Sequence, residues 1–261
     1  MNNIFFAHAI GFPSRSYQPF FNELEKYDYT IDFIEKIGMN PKYPITNNWP
    51  HLIEELADEI RSRHSEPVIG IGHSAGGLLT YLVARKYPEL FSQIVVLDAP
   101  AINGLQNIPW WILKKLGLSD LVTPAKQSKH RKTHFKSLEE INELHYSRLL
   151  RNIQDDSFSS YVEHGFVPHK DGGFTLAFPL DTELALFRNA PDNLWRYKKP
   201  LAVRGIYISA EESEFSQLPF AERLCKKAEM DYHVLKGSHM FPQEHPKASA
   251  DYIEQWLTSA S

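Results

Sequence analysis

Gly72-His73-Ser74-Ala75-Gly76 places a serine between two glycines, with a short apolar run before it and a helix-forming run after it. The spacing G-x-S-x-G in a strand–turn–helix setting is that of a nucleophile elbow. The strand is Pro67-Val68-Ile69-Gly70-Ile71, and the spacing predicts a helix from Ala75 to about Tyr87, with Leu78, Leu79, Leu82 and Val83 on one face. Such a turn holds Ser74 in a strained conformation, and side chains at Gly72 or Gly76 would meet neighbouring backbone. The serine hydroxyl then projects beyond the sheet, where the N–H groups of the following helix favour a developing negative charge. A glycine-rich turn with no chemistry has the same five letters, so the rest of the chain decides.

A serine nucleophile needs a base, and the base needs an orienting group. His239 lies in Lys236-Gly237-Ser238-His239-Met240, just past an apolar run and before a final helix that starts near Pro246. The chain has 12 histidines, and position selects His239 among them; His245 is second. His73 points into the strand–helix junction and reads as structural. An oxyanion hole takes two backbone N–H donors. One is that of Ala75, directly after the nucleophile. The other is expected from the loop after the first strand, His8-Ala9-Ile10-Gly11-Phe12-Pro13, with the Phe12 N–H as the candidate.

These residues must be held by a larger frame. Apolar runs at 4–7, 30–34, 68–71, 94–97, 206–209 and 232–235 read as buried strands. Between them lie helical patterns: Leu52, Ile53, Leu56 and Ile60; then Leu218, Phe220, Ala221, Leu224 and Cys225; then Ile253, Trp256 and Leu257. Alternating strands and helices predict an α/β fold with a doubly wound, mostly parallel sheet of about six strands. The core should be formed by residues 1–100 and 195–261. From residue 101 to 194 no parallel-strand run is visible, and the stretch reads as helical or irregular, far too long for a simple crossover. It is expected to be an inserted helical cap over the sheet's C-terminal edge, where ligands of open α/β sheets bind. Trp110 and Trp111 are the expected substrate-binding residues, with Phe158 and Phe166 either lining the pocket or forming cap core. Asp171-Gly172-Gly173 reads as a turn. The basic run Lys126, Lys129, Arg131, Lys132 and Lys136, with His130 and His134, reads as a solvated face, with an anion site as the alternative.

Composition narrows the function classes. A net charge of −4 and a pI near 6.3 argue against a nucleic-acid surface. Cys225 is the only cysteine, so an intramolecular disulfide and a Cys-rich zinc site are both excluded. No apolar run of about 18 residues is present, which argues against a membrane span. Nor does the start have the basic n-region and apolar length of a signal peptide, so the expected location is cytoplasmic. The expected partner is a small-molecule substrate; oligomeric state is not legible.

Taken in order, the loop at 8–13, the elbow at 72–76, Leu97-Asp98-Ala99-Pro100 and Gly237-Ser238-His239 resemble an α/β-hydrolase fold protein over nearly the whole chain. Two features depart from that family. Its usual first two strands are missing, and its acidic turn, often D-x-x-G-x-G, is replaced by Glu35-Lys36-Ile37-Gly38-Met39-Asn40. The resemblance leaves the triad acid open. Many members carry it after the seventh strand, where this chain has Ser209-Ala210-Glu211-Glu212-Ser213-Glu214-Phe215; one alignment puts Ser213 there and another Glu212. Others, such as haloalkane dehalogenases, carry it after the sixth strand, where Asp98 stands 24 residues past Ser74. Asp98 is favoured, with Glu212 as the alternative. The resemblance implies a cofactor-free, metal-free serine hydrolase, carboxylesterase-like, acting on a small to medium apolar ester. It leaves open C–C bond hydrolysis, cofactor-free haloperoxidase or lyase chemistry, and a slow-turnover ligand-binding receptor.

Overall fold

The computed structural model describes residues 2–101, 107–121, 123–215 and 219–259. Leu218, expected on a helix, lies outside them.

The chain begins β1 (Asn2–Ala7), α1 (Gln18–Glu25), β2 (Tyr29–Phe33), α2 (Pro50–Arg63), β3 (Val68–His73), α3 (Ala75–Lys86), β4 (Phe91–Leu97). A long connection follows, with α4 (Asn107–Lys115), α5 (Ala125–Ser128), β5 (His134–Phe135), α6 (Leu138–Asn142), α7 (Asp155–Gly165), β6 (Phe166–Pro168), β7 (Phe174–Leu176) and α8 (Leu180–Arg188). The chain then returns through β8 (Arg204–Ala210), α9 (Phe220–Ala228), β9 (Asp231–Leu235), α10 (Phe241–Glu244) and α11 (Pro246–Thr258).

Six strands form one parallel sheet in the order β2-β1-β3-β4-β8-β9. Its central strands are apolar on both faces because both faces are covered, whereas the edge strands β2 and β9 are partly exposed. Phe5, Ala7, Ile94 and Val96 point to one side, where they pack with Leu52 and Leu56 of α2, Leu78 and Leu82 of α3 and Leu224 of α9. Ile4, Phe6, Ile71 and Val95 point to the other, against Phe20 and Leu24 of α1 and Ile253 and Trp256 of α11. Alternate residues of one strand therefore serve two cores. Truncating a fully buried member such as Leu82 to Ala would cost about 2–5 kcal/mol.

The strand order reverses beside β3, so its C-terminal end opens onto the crevice where open α/β sheets bind ligands. All six apolar runs read from the sequence are strands here. The connection between β4 and β8 is not purely helical. It carries a small antiparallel sheet, β5-β7-β6, whose two- and three-residue strands are too short to show a period. Asp171-Gly172-Gly173 is a turn, as expected, with Gly172 and Gly173 both at positive φ. Among the described residues no helix is long and apolar enough to cross a membrane.

Candidate active site

Ser74 sits between β3 and α3 at φ 55°, ψ −121°, a conformation L-residues rarely hold. The glycines around it make that turn physically possible. A Cβ on Gly72 would lie 2.4 Å from the Gly76 carbonyl oxygen, and one on Gly76 would lie 2.1 Å from that of Ala7. The Ser74 N–H is held by the Leu97 carbonyl at 2.8 Å, which ties the elbow to the end of β4. The hydroxyl is left partly exposed above the sheet, at the N-terminus of α3.

His239 reaches it from the loop after β9. Its Nε2 lies 3.1 Å from Ser74 Oγ, and its Nδ1 lies 2.6 Å from Asp98 Oδ2. A carboxylate can only accept, so Nδ1 carries the proton and Nε2 is free to accept from the Ser74 hydroxyl. Asp98 follows β4 at φ 41° and is fully buried. Its other acceptor sites are filled: Ser213 Oγ donates to Oδ2 at 2.5 Å, Ser209 Oγ to Oδ1 at 3.2 Å and the Ala210 N–H to Oδ1 at 3.3 Å. Such bonding holds the buried carboxylate in one orientation.

Glu212, the alternative acid, is exposed, and its backbone N–H donates to the Gly237 carbonyl at 3.0 Å. The carboxylate at the His239 ring is that of Asp98. His245 starts α11 as its N-terminal cap and is not the histidine bonded to Ser74.

The loop carrying His239 is itself clamped. Gly237 has φ 121°, and Glu244 of α10 accepts the Ser238 N–H at 2.7 Å and the Ser238 hydroxyl. Sequence reasoning missed Glu244; its place six residues past Ser238, with Gly237 before it, was the available signal.

The expected oxyanion donor at Phe12 is corrected by the structure. The Phe12 N–H donates to the Ala9 carbonyl at 3.1 Å and closes a turn in which Gly11 has φ 84°. That amide is already occupied. The Ile10 N–H, at the preceding corner of the turn, has no acceptor among the described residues, and neither does the Ala75 N–H at the start of α3. The turn lies against the elbow, since the hypothetical Gly76 Cβ would also touch the His8 carbonyl at 2.6 Å.

His8 and His73 are structural. His8 accepts the Ile37 N–H at Nε2 (2.8 Å) and donates from Nδ1 to the Ala9 carbonyl (2.7 Å). Burial lowers its pKa to about 4. His73 lies at the junction, as its position suggests. Its Nε2–H donates to the His239 carbonyl at 2.8 Å, so its Nδ1 accepts from the Tyr17 hydroxyl at 2.7 Å. Burial, with nearby His239, lowers its pKa to about 3 and keeps it neutral.

Of the two expected substrate-binding tryptophans, Trp110 is buried, with Lys114 Nζ 5.3 Å from its ring centroid. Trp111 is 49% exposed, on the same helix as exposed Ile108 and Ile112. Phe158 and Phe166 pack into the core shared with α1 and α11. The basic run is exposed except at Arg131, which turns in to meet buried Glu183 of α8 at 3.2 Å. That ion pair rests on Gly11, where an added Cβ would lie 3.3 Å from Glu183 Oε2. Burial pushes the Cys225 thiol up to about 12, which removes it as a competing nucleophile. Among the described residues no group of three or more His, Cys, Asp or Glu is arranged to hold a metal ion.

Known proteins share this architecture. A thioesterase-domain family model matches residues 3–101, the part that includes the turn, the elbow and Asp98. An uncharacterized hydrolase of Bacillus subtilis (strain 168), YugF, is 22% identical over 89% of this chain and 81% of its own length. A serine hydrolase-like protein of Danio rerio is 22% identical over 73% of this chain, and the match spans 60% of that protein's length. The crystal structure of E-2-(acetamidomethylene)succinate hydrolase superposes with a TM-score of 0.77 at 19% identity, covering 99% of this chain and 91% of that one. The chain has the α/β-hydrolase fold, and it is similar to hydrolases in sequence and to a thioesterase domain over residues 3–101.

Proposed function

We propose that the chain is a serine hydrolase that cleaves a small to medium, largely apolar ester through a Ser74–His239–Asp98 triad and an acyl-enzyme. The observation that carries this reading is the continuous hydrogen-bonded chain from Ser74 Oγ through His239 to Asp98, set on a strained elbow. His239 Nε2 takes the serine proton as Oγ attacks the carbonyl carbon. Asp98 stabilises the imidazolium that forms. The N–H groups of Ala75 and Ile10 receive the oxyanion. The imidazolium then protonates the leaving oxygen, and water repeats the sequence to release the acid. Residues 101–194 act as a cap over the mouth, with Trp110 and Trp111 as substrate-binding residues, in a cytoplasmic enzyme that needs no cofactor.

A thioester is the second substrate reading, and the thioesterase-domain match supports it. The same attack expels a thiolate, a better leaving group than an alkoxide. A panel of p-nitrophenyl esters and acyl thioesters of matched chain length separates the two. The ester reading predicts turnover with an optimum at short or medium chain, lost in Ser74→Ala. Binding of these compounds without turnover would instead favour a receptor. Turnover confined to thioesters would transfer the assignment.

A further inference from the structure

Three polar side chains meet beside the turn from Ala9 to Phe12 with hydrogen-bonding capacity left over. Arg131 follows α5, Tyr161 lies on α7 and Glu183 on α8, so all three come from the connection between β4 and β8. Glu183 Oε1 accepts from Arg131 Nη1 at 3.5 Å, and its Oε2 lies 3.2 Å from the same nitrogen. A Cβ on Gly11 would lie 3.7 Å from that Nη1. The Tyr161 ring packs on that of Phe12, with centroids 4.8 Å apart. The cluster therefore borders Gly11 and Phe12, directly after the Ile10 N–H.

Glu183 meets the guanidinium at Nη1 alone. Nε and Nη2, the other edge, are shut off from water and have no hydrogen-bond partner among the described residues. The Tyr161 side chain is buried as well, and among the described residues its phenol makes no hydrogen bond. Burial raises the pKa of that phenol, and the charges that act on it are those of Arg131 and Glu183, so it stays a donor.

Buried donors nearly always have acceptors, so an unmatched edge calls for one. Nε–H and Nη2–H lie parallel in the guanidinium plane, at the spacing of the two oxygens of a carboxylate. The phenol adds a third donor in the same neighbourhood. The surrounding chain has the right sign: five of the eleven residues 126–136 are Lys or Arg, and none is acidic. Arg131 keeps 30% of its side chain exposed, which leaves one side of the cluster open to an incoming group.

We propose that Arg131, with Tyr161, binds a carboxylate of the substrate, so that the ester cleaved at Ser74 carries an aliphatic spacer ending in that acid. Gly11 and Ile10 are chain neighbours, about 3.8 Å apart, so the spacer is short, about two to four carbons. The inference rests on the ester-hydrolase reading above and adds a charge at the far end of its apolar substrate.

The test uses two matched pairs of esters. The p-nitrophenyl half-ester of glutaric acid is set against p-nitrophenyl pentanoate, and the butyrate ester of γ-hydroxybutyrate against butyl butyrate. The first pair carries the acid on the acyl side, the second on the alcohol side. Wild type should favour the acid in one pair by about tenfold or more in kcat/KM, chiefly through KM. Arg131→Gln should cut that preference by about tenfold, and Tyr161→Phe by about threefold. Arg131→Lys keeps the charge and loses the fork, and should fall between wild type and Arg131→Gln. No preference for the acid in either pair overturns the proposal, as does a preference unchanged in Arg131→Gln. If circular dichroism shows that Arg131→Gln does not fold, Tyr161→Phe is judged by the same criterion. Failure of the hydrolase reading looks different: wild type then turns over none of the four esters. In that case glutarate is titrated calorimetrically against wild type and the folded variant. Binding that the variant loses upholds the site, and no binding by wild type overturns it.

Discussion

Tyr17 and His73 are 56 residues apart and share a 2.7 Å hydrogen bond in the core, the phenol donating to the ring Nδ1. The same phenol oxygen accepts the Ala9 N–H at 3.4 Å, and the opposite edge of His73 donates to the His239 carbonyl. One buried chain of hydrogen bonds thus joins the turn after β1, the elbow and the loop that carries the proposed base. The three loops are held relative to one another by neutral groups that take no proton in the proposed reaction.

Tyr17→Phe removes only the hydroxyl. It leaves the Ala9 N–H and His73 Nδ1 without partners, at a cost of about 1–3 kcal/mol. In a chain of this size the melting temperature should fall by about 2–4 °C per kcal/mol. The variant's kcat should fall as well, because the base and the oxyanion turn lose a common anchor. A melt and a kcat equal to wild type would show that the chain of bonds does not position the loops.

Two buried histidines give a signed pH dependence. His8 and His73 have pKa values of about 4 and about 3 when folded, against an ordinary 6.5. The unfolded chain therefore binds more protons below pH 6.5. The stability contributed by the neutral rings is fully present above that value and is lost as pH falls from 6.5 through 4 towards 3. For His8 alone the loss reaches about 3 kcal/mol, at ~1.4 kcal/mol for each tenfold in proton affinity. Urea midpoints at pH 7, 5.5 and 4.5 should fall in that order, with a shallower fall in His8→Gln. An identical slope in the variant would remove His8 from the explanation.

The oxyanion assignment can be tested with one backbone atom. Ile10 occupies the second position of the turn from Ala9 to Phe12, and with Gly11 at positive φ a proline is well suited there. Ile10→Pro should therefore keep the turn and delete only the N–H. A loss of about a hundredfold or more in kcat is expected, with Ile10→Ala as the control for the side chain. Retained kcat in the proline variant would exclude the Ile10 amide.

Much of this site was legible from local spacing. Ser74 lies inside a motif whose glycines have a steric reason, and His239 follows the last apolar run. Asp98 was harder, because its defining neighbours, Ser209 of β8 and Ser213 of the loop after it, lie more than 100 residues later and meet it only through the β4–β8 pairing. The Phe12 expectation failed because the turn hydrogen bond is a property of backbone geometry, and the letters Gly11-Phe12 fit a free or an occupied amide equally well. Tyr17 was invisible for the same reason as Asp98's partners. The small antiparallel sheet escaped because a two-residue strand has no period. Arg131 looked like one more residue of a basic run until Glu183 drew it inward.

Glu244 should matter more than its position on a four-residue helix suggests. Glu244→Ala leaves the Ser238 N–H and hydroxyl without their charged acceptor, a loss of about 1.5–3 kcal/mol. Thermal melts should show that loss, and kcat should fall further than KM rises, because the His239 loop is loosened rather than the substrate contacts. Glu244→Gln, which keeps an acceptor, should fall between the two. Equal kcat in all three proteins would contradict a role in holding His239.

The central claim is that Ser74 is the nucleophile. Incubation with a fluorophosphonate, digestion and mass spectrometry test it most directly. The account predicts a single stoichiometric adduct on the peptide containing Ser74, strongly slowed in His239→Gln and absent in Ser74→Ala. An adduct on another residue, or ester turnover that persists in Ser74→Ala, would contradict it.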